Sequence, residues 1–242
     1  MLFLARTLPT PAENLALDEA LLDHAEAAPG FAALRVYEAP APFVVVGYGN
    51  AIRAEVNVAA CGASGIPVLR RCSGGGTVVL GPGCLGYALV LPLAGRPELA
   101  TITDANRWIM RRHADALSRL LGRPVEVEGH TDLVAEGRKF SGNAQRRRRG
   151  ALLFHGTLLC RFDLGLVTRL LRHPTVEPAY REGRPHESFV ANLEVPPALL
   201  AAALATEWGA TPSAGPDLSV GTAALVAAQY GSEAWVWRGT RD

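Results

Sequence analysis

Residues 66–92 read IPVLRRCSGGGTVVLGPGCLGYALVLP. Three extended runs lie in this block, Ile66–Arg70, Thr77–Leu80 and Gly86–Pro92, and glycine and proline turns alone separate them. A doubly wound parallel sheet needs a helix between successive strands. No helical period fits here, so the block points instead to a mixed α+β sheet.

The flanking sequence agrees. Residues 2–7, Ala33–Tyr37 and Phe43–Gly47 read as strands, the last two divided by the turn Glu38–Pro42. Pro11–Ala27 reads as a helix in which Leu15, Leu17, Ala20, Leu21 and Leu22 are interleaved with Glu13, Asp18, Glu19 and Asp23. Asn57 is placed to cap a short helix that ends at Gly62–Gly65. Thr103–Leu121 is the longest helical pattern, with Asp104 in its first turn and Gly122 and Pro124 at its end. Strands are expected near Val125–Glu128, Asp132–Ala135 and Ala151–Leu159, with Gly137–Gly150 part strand and part loop. Asp163 is placed to cap a helix through Leu171, residues 173–194 read as irregular, and helices over about Pro197–Trp208 and Val220–Tyr230 close the chain. The expectation is a single α+β domain over residues 1–242.

Composition narrows the function. The 242 residues are 49% hydrophobic and 19% charged, a globular balance, and the net charge of +1 argues against a general nucleic-acid binder. The longest apolar runs, such as Phe43–Val46 and Tyr87–Leu91, are too short to cross a bilayer. The N-terminus lacks the basic region of a secretion signal, so a cytoplasmic protein is expected. Cys61, Cys72, Cys84 and Cys160 show no zinc-ligand spacing, no protein-only metal site is expected, and reduced, partly buried thiols are. One bias stands out: Lys139 is the only lysine among 24 basic residues. A chain that uses arginine everywhere else keeps one compact ammonium with freely rotating donors.

Three motifs carry the chemistry. The first is Arg70-Arg71-Cys72-Ser73-Gly74-Gly75-Gly76-Thr77, in which glycines let the backbone approach a ligand and offer N–H groups to an anion, with two arginines beside them. It is neither a Walker loop nor a dinucleotide fingerprint; the bland reading is a tight hairpin. The second is Asp132-Leu133-Val134 followed by Gly137-Arg138-Lys139-Phe140-Ser141-Gly142-Asn143-Ala144-Gln145, around the lone lysine. The third is Phe154-His155-Gly156-Thr157-Leu158-Leu159, whose histidine read alone is a satisfied core residue. Spacing alone reveals no Ser/His/Asp or Cys/His arrangement. Together these parts describe a site for a ligand with an anionic group and one lysine near the reacting atom.

In this order the motifs resemble the lipoate–protein ligase A family, within the superfamily of biotin/lipoate ligases and octanoyltransferases. RRCSGGGTVV is similar to the family's RR-x-SGGG segment, and DLVAEGRKFSGNAQRR to its segment around the catalytic lysine. PAENLALDEALL, VVVGYGN, AEVN, Asn192-Leu193 and QYGSEAW agree as flanking pieces. The resemblance implies a biotin/lipoate-ligase-like catalytic domain, with a mainly antiparallel mixed sheet flanked by helices and no accessory C-terminal domain. It implies that lipoate or octanoate and Mg-ATP (ATP with Mg2+) give an acyl-adenylate, whose acyl group then passes to a lysine of a lipoyl domain or H protein. Lys139 matches the catalytic lysine. Arg71, Ser73, Gly74, Gly75, Gly76 and Thr77 match the segment that wraps the acyl-adenylate; Asp132, Ser141, Gly142, His155 and Gly156 match the rest of the pocket.

The chain also departs from the ligase pattern. Where ligases carry His-Asp and then Gly-Asn after the glycine turn, this chain has Leu80-Gly81-Pro82-Gly83-Cys84, as octanoyltransferases have a Gly-Pro-Gly. The rival reading is therefore an ATP-independent octanoyl or lipoyl transferase working through a cysteine thioester, with Cys84 and Cys160 as candidate nucleophiles. A non-catalytic lipoate-binding subunit is a third reading. A missing accessory domain makes a separate accessory ligase subunit an expected partner.

Overall fold

In the computed structural model, which describes residues 1–174 and 176–239, the strands divide between two sheets. The large sheet has the order β11-β1-β2-β6-β10-β9-β8-β7. Its strands are β1 (Leu2–Ala5), β2 (Ala33–Glu38), β6 (Cys84–Pro92), β7 (Glu126–Glu128), β8 (Asp132–Ala135), β9 (Arg138–Arg147), β10 (Ala151–Leu159) and β11 (Thr211–Pro212). The pairs β1–β2 and β1–β11 are parallel and the others antiparallel. The small sheet, β4-β3-β5, holds β3 (Phe43–Val46), β4 (Val68–Arg70) and β5 (Val78–Leu80). The fold is thus mixed α+β with a mainly antiparallel sheet. The three runs of residues 66–92 do not share one sheet: β4 and β5 flank β3, and β6 lies inside the large sheet. The break falls at Gly83, where φ is +82° and a Cβ would lie 2.2 Å from the Arg161 carbonyl oxygen.

Nine helices complete the described residues: α1 (Pro11–Ala27), α2 (Ile52–Glu55), α3 (Val58–Ala63), α4 (Ile102–Leu121), α5 (Leu164–Leu170), α6 (His186–Phe189), α7 (Pro197–Glu207), α8 (Ser219–Leu225) and α9 (Glu233–Val236). Local chemistry sets their ends. Thr10 and Glu13 form a reciprocal capping box on α1, Thr101 caps α4, and Gly122 ends α4 with φ +63°. Val226–Tyr230 continues α8 as a π-helical turn, and α9, which sequence patterning missed, lies beyond it. Of Gly137–Gly150, read as part strand and part loop, Arg138–Arg147 form a ten-residue strand and the remaining residues lie outside it.

Helices cover the large sheet on both faces, which explains the unbroken apolar run of β6. Leu85, Tyr87, Leu89 and Leu91 pack with α4 and α7 in one cluster; Ala88 and Val90 pack with α1 in another. Helix α1 is shared: Leu15 and Ala16 join the cluster of the small sheet, while Leu17, Leu21 and Leu22 join that of the large one. Buried on so many sides, α1 takes Asn14, Asp18 and Glu19 inside with it. Among the described residues no helix is long and apolar enough to cross a membrane.

Candidate active site

A cavity of about 710 Å³ opens between the two sheets. Its walls are the glycine loop after β4, the cavity faces of β9 and β10, the turn His130–Asp132, and the segment from Leu171 to Phe189. Of the residues expected at a site, Arg71, Gly75, Gly76, Thr77, Asp132, Lys139, Gly142, His155 and Gly156 line it.

Lys139 reaches the cavity because of a single extra residue. On the β8–β9 ladder Leu133 faces Ser141, but Val134 faces Lys139, so Phe140 is a one-residue bulge. Beyond it, Ser141 and Asn143 turn to the α4 face, where Asn143 Oδ1 accepts from Tyr87. A regular strand would put Lys139 on that face too, because side chains alternate with period two. The bulge instead puts the amine over the opposite face: Nζ would lie 3.1 Å from a Cβ on Gly142. A Cβ at position 142 would crowd the end of the lysine, which would have to shift by a few tenths of an ångström. Nζ pairs with Asp132 Oδ1 at 2.8 Å, and the side chain is 25% exposed.

The glycine loop is held from behind by the two arginines, of which Arg71 also lines the cavity and Arg70 does not. Arg70 is fully buried and its guanidinium goes to the carbonyl oxygens of Gly47, Tyr48, Asn50, Val236 and Arg238. Arg71 donates to Ser73 Oγ and to the carbonyls of Val45, Gly74 and Gly76. Burial lowers its pKa to about 10, so it stays charged at neutral pH. With the loop carbonyls drawn toward a cation, no protein acceptor among the described residues takes the N–H groups of Gly74, Gly75 or Gly76. The cation and these free donors make a positive wall. Gly47 supports the wall closely, since a Cβ there would lie 2.0 Å from the Gly75 carbonyl oxygen. Glu55, which sequence reasoning passed over, accepts from Asn50 Nδ2 at 2.8 and 2.9 Å and from the Thr77 hydroxyl.

Beneath the loop runs a chain that sequence spacing did not show. Ser73 Oγ lies 2.5 Å from His155 Nε2, and His155 Nδ1 lies 3.3 Å from Asp18 Oδ2. The other oxygen of Asp18 pairs with the fully buried Arg35 at 2.5 Å. The Asp18 carboxylate only accepts, so His155 Nδ1–H donates to it, and a neutral ring then takes the Ser73 hydroxyl proton on Nε2. Ser73 is 1% exposed and pinned by two partners, which makes it a strut rather than a surface ligand. Arg35 was detectable as a charge inside the otherwise apolar run Ala33–Tyr37, whereas Asp18 was one of several acids in its helix.

Five expected residues lie off the main cavity. Ser73 is buried beneath the loop and Gly74 sits on it, exposed, and neither lines the cavity. Ser141 faces Asn143 and touches only a recess of about 100 Å³ that shares Lys139 and Gly142 with the main cavity. Cys84 and Cys160 are each 0% exposed. Burial pushes the Cys84 thiol upward and the Cys160 thiol up to about 11. Neither is a surface thiolate, and the register that pairs Leu159 with Cys84 packs both into the interior. Gly156 lines the cavity, and the position admits no side chain because Asn143 Oδ1 lies 1.8 Å from where a Cβ would be.

Comparison with known proteins matches residues 10–198 to the lipoyl protein ligase A/B catalytic domain family. A lipoate-protein ligase A candidate of Aeropyrum pernix is 33% identical over 172 residues, 70% of this chain and 61% of its own length. The octanoyltransferase LipM of Geobacillus kaustophilus is 29% identical over 68% of this chain and 66% of its own. The chain therefore spans less than two thirds of the length of these relatives. A crystal structure of a lipoate-protein ligase A bound with ATP superposes with TM-score 0.83 and 23% identity, covering 98% of each chain. A bipartite lipoate protein ligase of Thermoplasma acidophilum, described with its E2 lipoyl domain, gives 0.81 at 23% identity over 100% and 97%. Those two likenesses establish the fold.

Proposed function

The chain belongs to the lipoyl protein ligase A/B catalytic domain family, and from that premise we propose that it is an ATP-dependent lipoate–protein ligase. Lipoate or octanoate is activated to an acyl-adenylate, and the acyl group passes to a lysine of a lipoyl domain or H protein. The observation that carries this choice over a thioester transferase is the state of the thiols. Cys61, Cys72, Cys84 and Cys160 are 2%, 3%, 0% and 0% exposed, and none lines the cavity that holds Lys139. A covalent route needs a reachable thiolate. An adenylate route needs only cations and backbone donors around the reacting atoms.

In this reading the carboxylate attacks the α-phosphorus of ATP and pyrophosphate leaves. The acceptor amine then attacks the acyl carbonyl, and AMP leaves with the bonding electron pair. Lys139 sits between acyl oxygen and phosphate, offsets their repulsion and stabilises the oxyanion that develops. The glycine-loop N–H groups offer further donors, and Arg71 adds positive potential from below. Tyr37, Leu15, Leu80 and Tyr87 supply the apolar part of the cavity for the acyl chain. No group of three His, Cys, Asp or Glu side chains among the described residues forms a metal cage. Mg2+ would then be carried by the nucleotide phosphates, the usual arrangement for this ion.

The test is a mass measurement on an acceptor lipoyl domain. Lipoate with ATP should add one lipoyl group per acceptor, and octanoyl carrier protein without ATP should add nothing. Modification from the thioester alone, lost on Cys84→Ser or Cys160→Ser, would establish the transferase instead. Tight lipoate binding with neither reaction would establish a binding subunit.

A further inference from the structure

The segment after α5 is unlike anything the motifs explain, yet it wraps the hairpin that carries Lys139. Ala191 N–H donates to the Lys139 carbonyl at 2.9 Å. Arg138 reaches back to the carbonyls of Glu187 and Val190. Arg184 spans from the Gly137 carbonyl at 2.9 Å to that of Tyr180 at 2.7 Å. The backbone on both sides of the lysine is thus tied to residues 180–191.

One contact reaches past the backbone to the amine's own partner. Tyr180 O–H donates to Asp132 Oδ2 at 2.8 Å, while Asp132 Oδ1 takes the Lys139 ammonium at 2.8 Å. The tyrosine ring is held in turn by Phe189, with centroids 5.2 Å apart, and it rests beside Gly129 in the turn before Asp132. Its hydroxyl stays protonated, because burial and the neighbouring carboxylate both raise its pKa. It is therefore a permanent donor. With both of its oxygens engaged, Asp132 has one orientation, and it keeps the lysine in one orientation.

We propose that Tyr180 is a positioning residue for Lys139, acting through Asp132, so that residues 180–191 clasp the lysine and set where its ammonium points. The proposal rests on the reading of Lys139 as the reacting cation, but its geometry can be tested without any turnover. Lys139 is the only lysine in the chain. An amine-reactive acetylating ester therefore labels this side chain and the N-terminus alone, and intact-protein and peptide masses separate the two.

The experiment uses the full chain and four forms: wild type, Tyr180→Phe, Asp132→Asn and the double variant. Tyr180→Phe is expected to speed labelling of Lys139 about tenfold, the scale of one lost hydrogen bond to a charged group. N-terminal labelling should be unchanged. In the Asp132→Asn background the second substitution should change nothing further, since its route is gone. In the acyl-transfer assay Tyr180→Phe should lower kcat about tenfold with KM for lipoate held. Equal labelling in wild type and Tyr180→Phe, or fully additive effects in the double variant, overturns the proposal. A wild type that labels as expected but never consumes ATP sinks the ligase reading and leaves this one standing.

Discussion

Two walls of the same cavity are built on opposite plans. The glycine loop is saturated from within: Arg70 and Arg71 spend their guanidinium groups on main-chain carbonyls of the loop and its neighbours, and Gly47 packs onto Gly75. The described residues of the clasp, 172–174 and 176–189, have only a 3-10 turn at Ala179–Arg181 and the four-residue α6 as regular structure. Val176 at the cavity's edge is 87% exposed, and the bonds of Tyr180 and Arg184 end on the lysine hairpin. A wall whose carbonyls are all held by the protein's own donors keeps its shape with nothing bound. A clasp whose bonds end on a reacting group must answer to that group.

Lys139 lies where the two walls meet, so it gives the largest expected effect. Lys139→Ala should lose roughly 10²–10³-fold in acyl transfer while the melting temperature stays near that of the wild type. Lys139→Arg should be nearly as damaging, because a planar fork cannot reproduce a rotating ammonium on this cavity face. Acceptor mass against time measures both. Near-native transfer by the arginine variant would mean that charge alone suffices and that orientation by the clasp is irrelevant.

The wall is tested next. In Gly47→Ala the new Cβ would meet the Gly75 carbonyl oxygen at 2.0 Å and its carbon at 3.1 Å. These are backbone atoms: Asn50 Nδ2 holds that oxygen and Arg71 holds the carbonyls on either side, so they cannot swing aside. Overpacking of this kind costs about 1–3 kcal/mol, read as a lower urea midpoint, and lipoate binding by calorimetry should weaken with it. An unchanged midpoint together with unchanged affinity would show a wall as yielding as the clasp.

A smaller effect comes from the far face of the sheet. His113 takes Trp208 Nε1–H on Nε2 and faces the Tyr87 hydroxyl, which in turn donates to Asn143 at the cavity floor. Burial holds its pKa down to about 3, with the nearby Arg112 lowering it further. The unfolded chain therefore binds the proton first. Stability tied to His113 is complete above about pH 6.5 and is lost as pH falls toward 3. Denaturant midpoints at pH 7, 5.5 and 4.5 should drop in wild type, and drop less in His113→Gln. Equal pH slopes in the two proteins would remove His113 from the support of the floor.

Much of this contrast was legible in the sequence, and the rest was hidden for identifiable reasons. Strands, long helices and the glycine turn follow from local pattern, and residues 173–194 read as irregular because they nearly are. The bulge at Phe140 leaves no compositional trace, since one inserted residue changes phase and not content. Asp18 and Glu19 read as solvated charges because helical periodicity assumes one wet face, whereas α1 is enclosed on most sides. The two arginines read as ligand contacts because their partners are main-chain carbonyls, which every sequence has everywhere. Tyr180 and Asp132 lie 48 positions apart, and no local rule joins them.

The smallest expected effect separates the walls by motion alone. Hydrogen exchange should be faster for amides of residues 176–189 than for those of β3, β4 and β5, because few main-chain bonds secure the former and ladder bonds secure the latter. Arg184→Ala removes the link from Tyr180 to the Gly137 carbonyl without touching the cavity core. It should accelerate exchange at residues 180–186 about tenfold and shift the melting temperature by no more than about 2 °C, since an exposed tie adds little to global stability. Bound lipoate and ATP should slow the same amides if the clasp closes on the ligand, and should leave the small sheet as it was. Equal exchange in both regions, or protection that appears only in the glycine loop, would assign the moving part to the wall and end the division drawn here.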